Sequence, residues 1–405
     1  MTKVMEGVRI LEVAEHTFVP AASALLADYG AEVIKIEHVE RGDAMRGLAS
    51  SGIAVMGTQV HVLLEHSNRG KRSLGLDLTS PEGLEILYRL AATCDVFLTN
   101  KLPSIRSKLK IDVDDIRAHN PEIIYVRGTG QGERGPDADR GSYDSLAYWV
   151  RAGIALGMKQ ADDPRVPPPP APAFGDSIGA MTIAGGIMGA LFHKERTGEG
   201  TVVDVSLLGV GMWSMGAALA LSLQFGVPWA PPPPDRPMGN PLTGTYATAD
   251  GRHVALTCLQ AAKYWAEFCT VIDRPDLATD ERFATAEALQ ANTAVAIEAI
   301  REAFAGRPAA EWRDRLNTFS GQWAMVQDTL EAVVDPQTVA NGYMVDCATA
   351  EGVPFQLAAA PVQYDEQPAI PARAPEFNEH GDAILEELGL DTEAIIDLKV
   401  RGVVA

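Results

Sequence analysis

Residues 8–37 read VRILEVAEHTFVPAASALLADYGAEVIKIE, and this stretch decides the fold class. Val8 to Val13 is a short apolar run rich in β-branched residues, and Pro20 to Tyr29 carries Ala and Leu at helical density. Gly30 is the residue type that ends helices, and Glu32 to Ile36 is strand-like again. Strand, helix and strand in so short a span form a βαβ unit, the connection that joins parallel strands. Working outward, Ser80 can cap a helix with Pro81 in its first turn, and Leu84, Leu87 and Leu90 mark the buried stripe. Strands follow at Asp95 to Leu98 and Glu122 to Val126. Strands alternating with helices predict an α/β fold with a mainly parallel sheet.

The composition shifts twice further on. Pro167 to Pro170 is a proline tract ahead of Asp176, and Pro231 to Pro234 is another, after a long apolar region rich in Gly and Ala. The second reads as a domain junction. Beyond it, Thr245 to Thr248 and His253 to Leu256 flank Asp250-Gly251, a hairpin signal. Amphipathic helices follow, one with Ile297, Ile300 and Phe304 on a face behind a Thr293 cap. The expected organisation is a large domain over 1–225, a smaller α+β domain over 226–325, and a C-terminal segment, 326–405, that returns to the large domain.

Among the 405 residues, Lys+Arg number 34 against Asp+Glu 54, for a formal charge of −20. Polyanion binding draws its affinity from Lys and Arg neutralising phosphates, so nucleic acid and anionic membranes are not expected partners. The amino terminus runs directly into a strand without the apolar segment of about 7–15 residues that a signal peptide needs. The longest apolar stretch, Ile178 to Phe192, is Gly/Ala-rich and short for a membrane span, which predicts a closely packed core helix. Cys94, Cys258, Cys269 and Cys347 are scattered, so neither a disulfide framework nor a metal site is expected, and a cytoplasmic location fits.

Four signals bear on chemistry. Gly130-Gln131-Gly132-Glu133-Arg134-Gly135 matches G-x-G-x-x-G after a strand, but Pro136 follows at once where a helix should begin, so it reads as a structural loop and not a dinucleotide site. Arg69, Lys71 and Arg72, with Lys101, Arg106, Lys108 and Lys110, are a local basic concentration in an acidic chain. It fits a solvated face, and equally a pocket for a phosphorylated small molecule such as a nucleotide-bearing thiol cofactor. Asp176 sits where a helix starts, which suits an N-cap and also a carboxylate nucleophile kept ionised by the helix dipole. Tyr143 and Asp144 form a polar pair before a helix at Leu146 to Val150, and read equally as a turn.

Several segments together resemble the class III CoA-transferases, the family of formyl-CoA transferase, carnitine-CoA transferase and α-methylacyl-CoA racemase. They are Leu26 to Glu37, Gly42-Asp43-Ala44-Met45-Arg46, Asn68 to Leu74, Gly130 to Pro136, Gly175-Asp176, Arg196 to Gly200, Asp335-Pro336-Gln337 and Glu386 to Leu390. The likeness spans nearly the whole chain. It implies a Rossmann-like large domain built from both chain ends, a smaller middle domain, and an interlocked homodimer.

The resemblance also implies chemistry. Asp176 matches the catalytic aspartate, which attacks an acyl-CoA thioester to give an aspartyl acyl anhydride and then an aspartyl-CoA thioester, moving CoA to a carboxylic acid. Coenzyme A is then the carrier, with no metal. Backbone N–H groups near Gly179 would stabilise the oxyanion, and Tyr143 and Asp144 would complete the catalytic cluster. The CoA site would be lined by His16, Thr17, Phe18, His38, Arg69, Arg72, Asn100 and Lys108. Here the formyl-CoA transferase pattern has Gln at the position of Thr17 and Arg at those of His38 and Lys108. Its glycine-run loop has Met238-Gly239-Asn240 as nearest counterpart. Two alternatives stand beside this reading. A racemase would need a His where the chain has Tyr143 in Ser142-Tyr143-Asp144, and a non-catalytic CoA-binding protein would lack Asp176.

Overall fold

The computed structural model describes residues 1–405 except 51–54, 56–58, 161 and 232–238. Most of the Pro231 to Pro234 tract and Met238 therefore lie outside the described residues. The chain divides into two compact units: one comprises Met1–Lys159, Arg165–Trp229 and Pro336–Ala405, the other Gln160–Pro164 and Ala230–Asp335.

The first unit is built on six parallel strands: β1 (Arg9–Val13), β2 (Glu32–His38), β3 (Arg72–Leu76), β4 (Val96–Thr99), β5 (Ile124–Thr129) and β6 (Val202–Ser206), in the order β3-β2-β1-β4-β5-β6. This is a doubly wound order, in which the direction of winding reverses between β1 and β4. The intervening helices are α1 (Phe18–Asp28), α2 (Val62–Asn68), α3 (Pro81–Ala91), α4 (Pro103–Leu109), α5 (Val113–Arg117), α6 (Ile154–Met158) and α7 (Phe174–Thr197), with a wide π-type helical segment at Ser145–Arg151. After β6 come α8 (Leu207–Ser214) and α9 (Gly216–Phe225).

The strands are apolar on both faces because both faces are covered. On one side Ile10, Val33, Leu98 and Val126 pack with Phe18, Ala22 and Leu26 of α1 and with Ala180, Ile183 and Ile187 of α7. On the other, Leu11, Ile34, Leu74 and Phe97 meet Leu87 and Leu90 of α3. The same cluster takes in Ile384, Leu385, Ile395 and Leu398 from two C-terminal helices, so both chain ends build this unit. Glycine permits the tight α1–α7 packing: a Cβ on Gly179 would stand 2.3 Å from the Phe18 ring. α7 is long and apolar enough to cross a membrane, but its Gly179, Ala180, Ile183 and Ile187 are buried against α1 and the sheet.

Under the β1–α1 connection lies a buried charge network. The Lys35 ammonium pairs with Glu12 and Asp43, each at 2.8 Å, and Lys71 pairs with Glu12 at 2.8 Å. Burial works against every charge here, yet the cations hold the Glu12 and Asp43 carboxyls below their ordinary range, and the carboxylates hold Lys35 above its own. Lys71, with the single carboxylate Glu12 and a repelling neighbour in Lys35, is drawn down to about 8 by burial.

In the second unit, β7 (Thr243–Ala247) and β8 (His253–Thr257) form the expected antiparallel hairpin, and β9 (Trp323–Met325) pairs with β8. The helices α10 (Ala261–Val271), α11 (Pro275–Ala278), α12 (Ala286–Ala291), α13 (Thr293–Ala305) and α14 (Ala309–Leu316) enclose a core around Trp265, Phe268, Phe304 and Trp312. Thr293 does not cap α13. Asn292 holds that position, while the Thr293 hydroxyl, already inside the helix, donates back to Leu289 and Gln290 carbonyls. α15 (Thr329–Val334) stays with this unit, held by Arg252 to Glu331 at 2.7 Å, and the chain rejoins the first unit at Pro336, later than residue 326.

Candidate active site

In a doubly wound sheet the crevice opens where the winding reverses, beyond the carboxyl ends of the strands. Here that point lies after β1 and β4. The Asn100 side chain spans it, accepting from the Glu15 N–H at 3.2 Å and donating to the Glu15 carbonyl at 2.7 Å. His16 follows in a left-handed conformation, φ +68°, uncommon for a residue with a Cβ. Its N–H donates to Asp43 Oδ1 at 3.0 Å, so the buried network under the sheet fixes the turn.

A second strained residue stands opposite. Ala173, φ +56°, precedes the first residue of α7. Asp176 is the third residue of α7 and not its cap; the acceptor at this helix start is Asp144, whose Oδ2 takes the Gly175 N–H at 3.2 Å and whose Oδ1 takes the Ser145 N–H at 2.6 Å. The Asp176 carboxyl is thereby left without a capping role. Burial and the neighbouring Asp144 push its pKa up to about 8, against the expected pull of the helix start toward the ionised form. Burial lifts Asp144 as well, against the N–H groups it accepts.

Two cavities meet at Asp176. One, of about 440 Å³, runs along the crevice over Glu15, His16, Phe18, Asn100, Lys101 and Thr129. The other, of about 390 Å³, lies among Thr17, Met45, Leu48, Leu63, Pro169 and Pro172. Asp176, His16 and Tyr143 line both. The His16 and Tyr143 rings meet edge to face at 5.6 Å. The crevice continues into a smaller hollow of about 180 Å³ that shares Glu15, Arg41, Lys101 and Ile105 with it and ends at His38, Leu76, Asp77, Leu78 and Thr79. The starts of α1 at Phe18, α7 at Asp176 and α8 at Leu207 all face the first cavity, bringing three positive helix ends to one space.

The structure gathers His16, Thr17, Phe18, Asn100, Tyr143, Asp144 and Asp176 around these cavities and places His38 at the end of the hollow. It separates others. Arg69 is buried and paired with Asp28 at 2.8 Å, and Arg72 pairs with Glu32 and Glu387, both at 2.6 Å. Arg72 opens β3, so it sits at the amino edge of a parallel sheet whose crevice is at the carboxyl edge. Neither arginine lines the site. Lys108 is exposed on α4, one residue from Leu109, which does line the hollow.

Gly179 lies inside α7, where N–H groups are committed to carbonyls four residues back, so its amide is not an oxyanion donor; its role is the close approach of Phe18. The basic concentration seen in the sequence is largely consumed internally: Lys71 holds Glu12, and Arg106 holds Glu133 at 2.6 Å. Sequence reasoning missed Glu15, Arg41 and Leu76 to Thr79, and had Lys101 only as one member of the basic concentration. All follow the ends of β1, β2, β4 or β3, so the rule for doubly wound sheets was the available signal.

A family model described as CoA-transferase family III matches residues 5–381. The chain is 29% identical over 403 residues to the (R)-2-hydroxy-4-methylpentanoate CoA-transferase of Clostridioides difficile, covering 99% of each. It is 28% identical to the human succinyl-CoA:glutarate CoA-transferase over 99% of this chain and 90% of that one. A crystal structure of an Asp-to-Ala variant of Rv3272 from Mycobacterium tuberculosis is similar with a TM-score of 0.80 at 27% identity, covering 95% of this chain and 99% of that one.

Proposed function

The chain belongs to CoA-transferase family III and is a CoA-transferase, and from that premise we propose that Asp176 is the nucleophile that carries CoA from an acyl-CoA donor to a carboxylic acid. The observation that carries this reading is the position of one carboxyl group at the junction of two cavities, one suited to the carrier and one to the acyl group.

The steps are those the family resemblance implies for a carboxylate in this place. A carboxylate oxygen of Asp176 attacks the thioester carbonyl, the C–S bond breaks, and CoA leaves as thiolate from an aspartyl acyl anhydride. The thiolate attacks the aspartyl carbonyl, releasing the donor acid and leaving an aspartyl-CoA thioester. The acceptor carboxylate displaces the thiolate to form a second anhydride, and the thiolate attacks the acceptor carbonyl, regenerating Asp176. The helix starts of α1 and α8 favour the thiolate and the developing oxyanions. CoA would lie along the crevice, its phosphates near Arg41 and Lys101 and its adenosine end near His38 and Leu76 to Thr79. A second copy of the chain is the expected partner, docked on the apolar α8–α9 face.

One observation favours a second reading, α-proton exchange on the acyl group: a histidine, His16, lines the same cavities as Asp176. Incubation of a 2-methylacyl-CoA in deuterated water with and without a carboxylic acid separates the two. A new CoA ester that depends on the acceptor and carries no α-deuterium is expected. Rapid deuterium incorporation without acceptor would replace the transferase reading by racemisation.

A further inference from the structure

Resting on the assignment of Asp176 as nucleophile, we infer that the acyl group is apolar and carries no second carboxylate: the enzyme serves monocarboxylic acyl units and rejects dicarboxylic ones. Family membership leaves this open, since the names of the two relatives above include a monocarboxylate and a dicarboxylate.

The wall of the second cavity decides it. Met45, Leu48, Leu63, Pro169 and Pro172 supply apolar surface. Its carboxyl groups are Asp144 and Asp176, and burial, with the neighbouring Asp144 adding to it, already raises the Asp176 pKa. Among the described lining residues there is no Lys or Arg. The basic side chain among those described residues is the His16 imidazole, which also lines the crevice and so stands at the end of the cavity shared with Asp176.

Two cations near the lining residues in sequence are placed elsewhere. Arg46 follows Met45, but its guanidinium holds Glu37 through Nε at 2.7 Å and Nη2 at 2.8 Å and donates to the Pro375 carbonyl at 3.0 Å. Arg41 lines the crevice and the hollow, not this cavity. The sequence from 49 to 60 contains no charged residue. A distal carboxylate brought here would lose water, gain no counter-ion and face two carboxyl groups.

The test is isotope exchange between each acyl-CoA and its own labelled free acid, so that every probe is both donor and acceptor. Isovaleryl-CoA and 3-phenylpropanoyl-CoA are expected to exchange with kcat/KM about 100-fold or more above succinyl-CoA and glutaryl-CoA, in line with the discrimination that unpaired polar groups impose. Exchange of succinyl-CoA or glutaryl-CoA within about tenfold of the better monocarboxylic probe, on that same scale of discrimination, would overturn the inference and leave the transferase reading standing. No exchange with any of the four, in protein that binds free CoA, would overturn both. Leu63→Arg places a cation on the wall and should shift the ratio toward the dicarboxylic probes. Leu63→Met, a volume-conserving change, should leave it in place.

Discussion

At the scale of single residues, the pair Asp144 and Asp176 carries the account. Asp144 does two things: it accepts the Gly175 N–H at the start of α7, and it adds to the rise in the Asp176 pKa that burial begins. Asp144→Asn keeps an acceptor oxygen for the helix start and removes the charge. The alkaline-going rise of kcat/KM, which reports ionisation of the free enzyme, should therefore move to lower pH from a wild-type position near 8. An unmoved limb, or one displaced upward, contradicts the coupling.

The same pKa has a stability consequence. Asp176 binds its proton more tightly folded than unfolded, so between an unfolded value of about 3.9 and the folded value the native state holds more protons. Stability from this group is therefore lost as pH rises through that window. Asp176→Asn should melt higher than wild type at pH 8 to 9 and about level with it at pH 4, read as a melting temperature difference across pH. A difference that does not grow with pH would show that burial does not penalise the ionised Asp176.

At the scale of elements, the packing of α7 on α1 sets the site, because Phe18 lies between Gly179 and the crevice. Gly179→Ala must displace the Phe18 ring and with it the His16–Thr17 turn. A loss of about 1–3 kcal/mol in stability is expected from overpacking, together with weaker CoA binding, by denaturant titration and calorimetry. Wild-type affinity would mean that α1 can shift without disturbing the crevice.

The elements also show what a sequence discloses. The βαβ unit, the Ser80 cap of α3 and the β7–β8 hairpin were legible because they are local: each depends on residues a few positions apart. Asp144 as the acceptor for α7 was not, since it stands far upstream of Gly175 and reaches it only through the fold. Arg72 illustrates a different failure. Its strand went unread, and with it the polarity that places its first residue away from a crevice at the carboxyl edge, so a basic cluster in an acidic chain drew the inference toward phosphate. Arg69 needed its tertiary partner, Asp28, to be understood.

At the scale of the molecule, α9 has no buried residue although it is largely apolar. Trp213 on α8 and Leu223 on α9 are each 87% exposed, with Phe192 and Phe225 also exposed. Exposed apolar surface of this kind marks association. Light scattering should give the mass of a dimer, and Trp213→Glu combined with Leu223→Glu should give a monomer or an insoluble chain. A soluble wild-type monomer at micromolar concentration would contradict a self-association role for this face.

The claim on which the rest depends is that Asp176 becomes covalently modified during turnover. The most direct measurement is to mix the enzyme with an apolar acyl-CoA such as isovaleryl-CoA, trap with hydroxylamine, and map the peptides by mass spectrometry. The account predicts a hydroxamate on the peptide containing Asp176, formed only with the acyl-CoA and absent from folded Asp176→Asn, which also fails to turn over. Turnover by that variant at the wild-type rate, or a hydroxamate on a different carboxyl group, would contradict it.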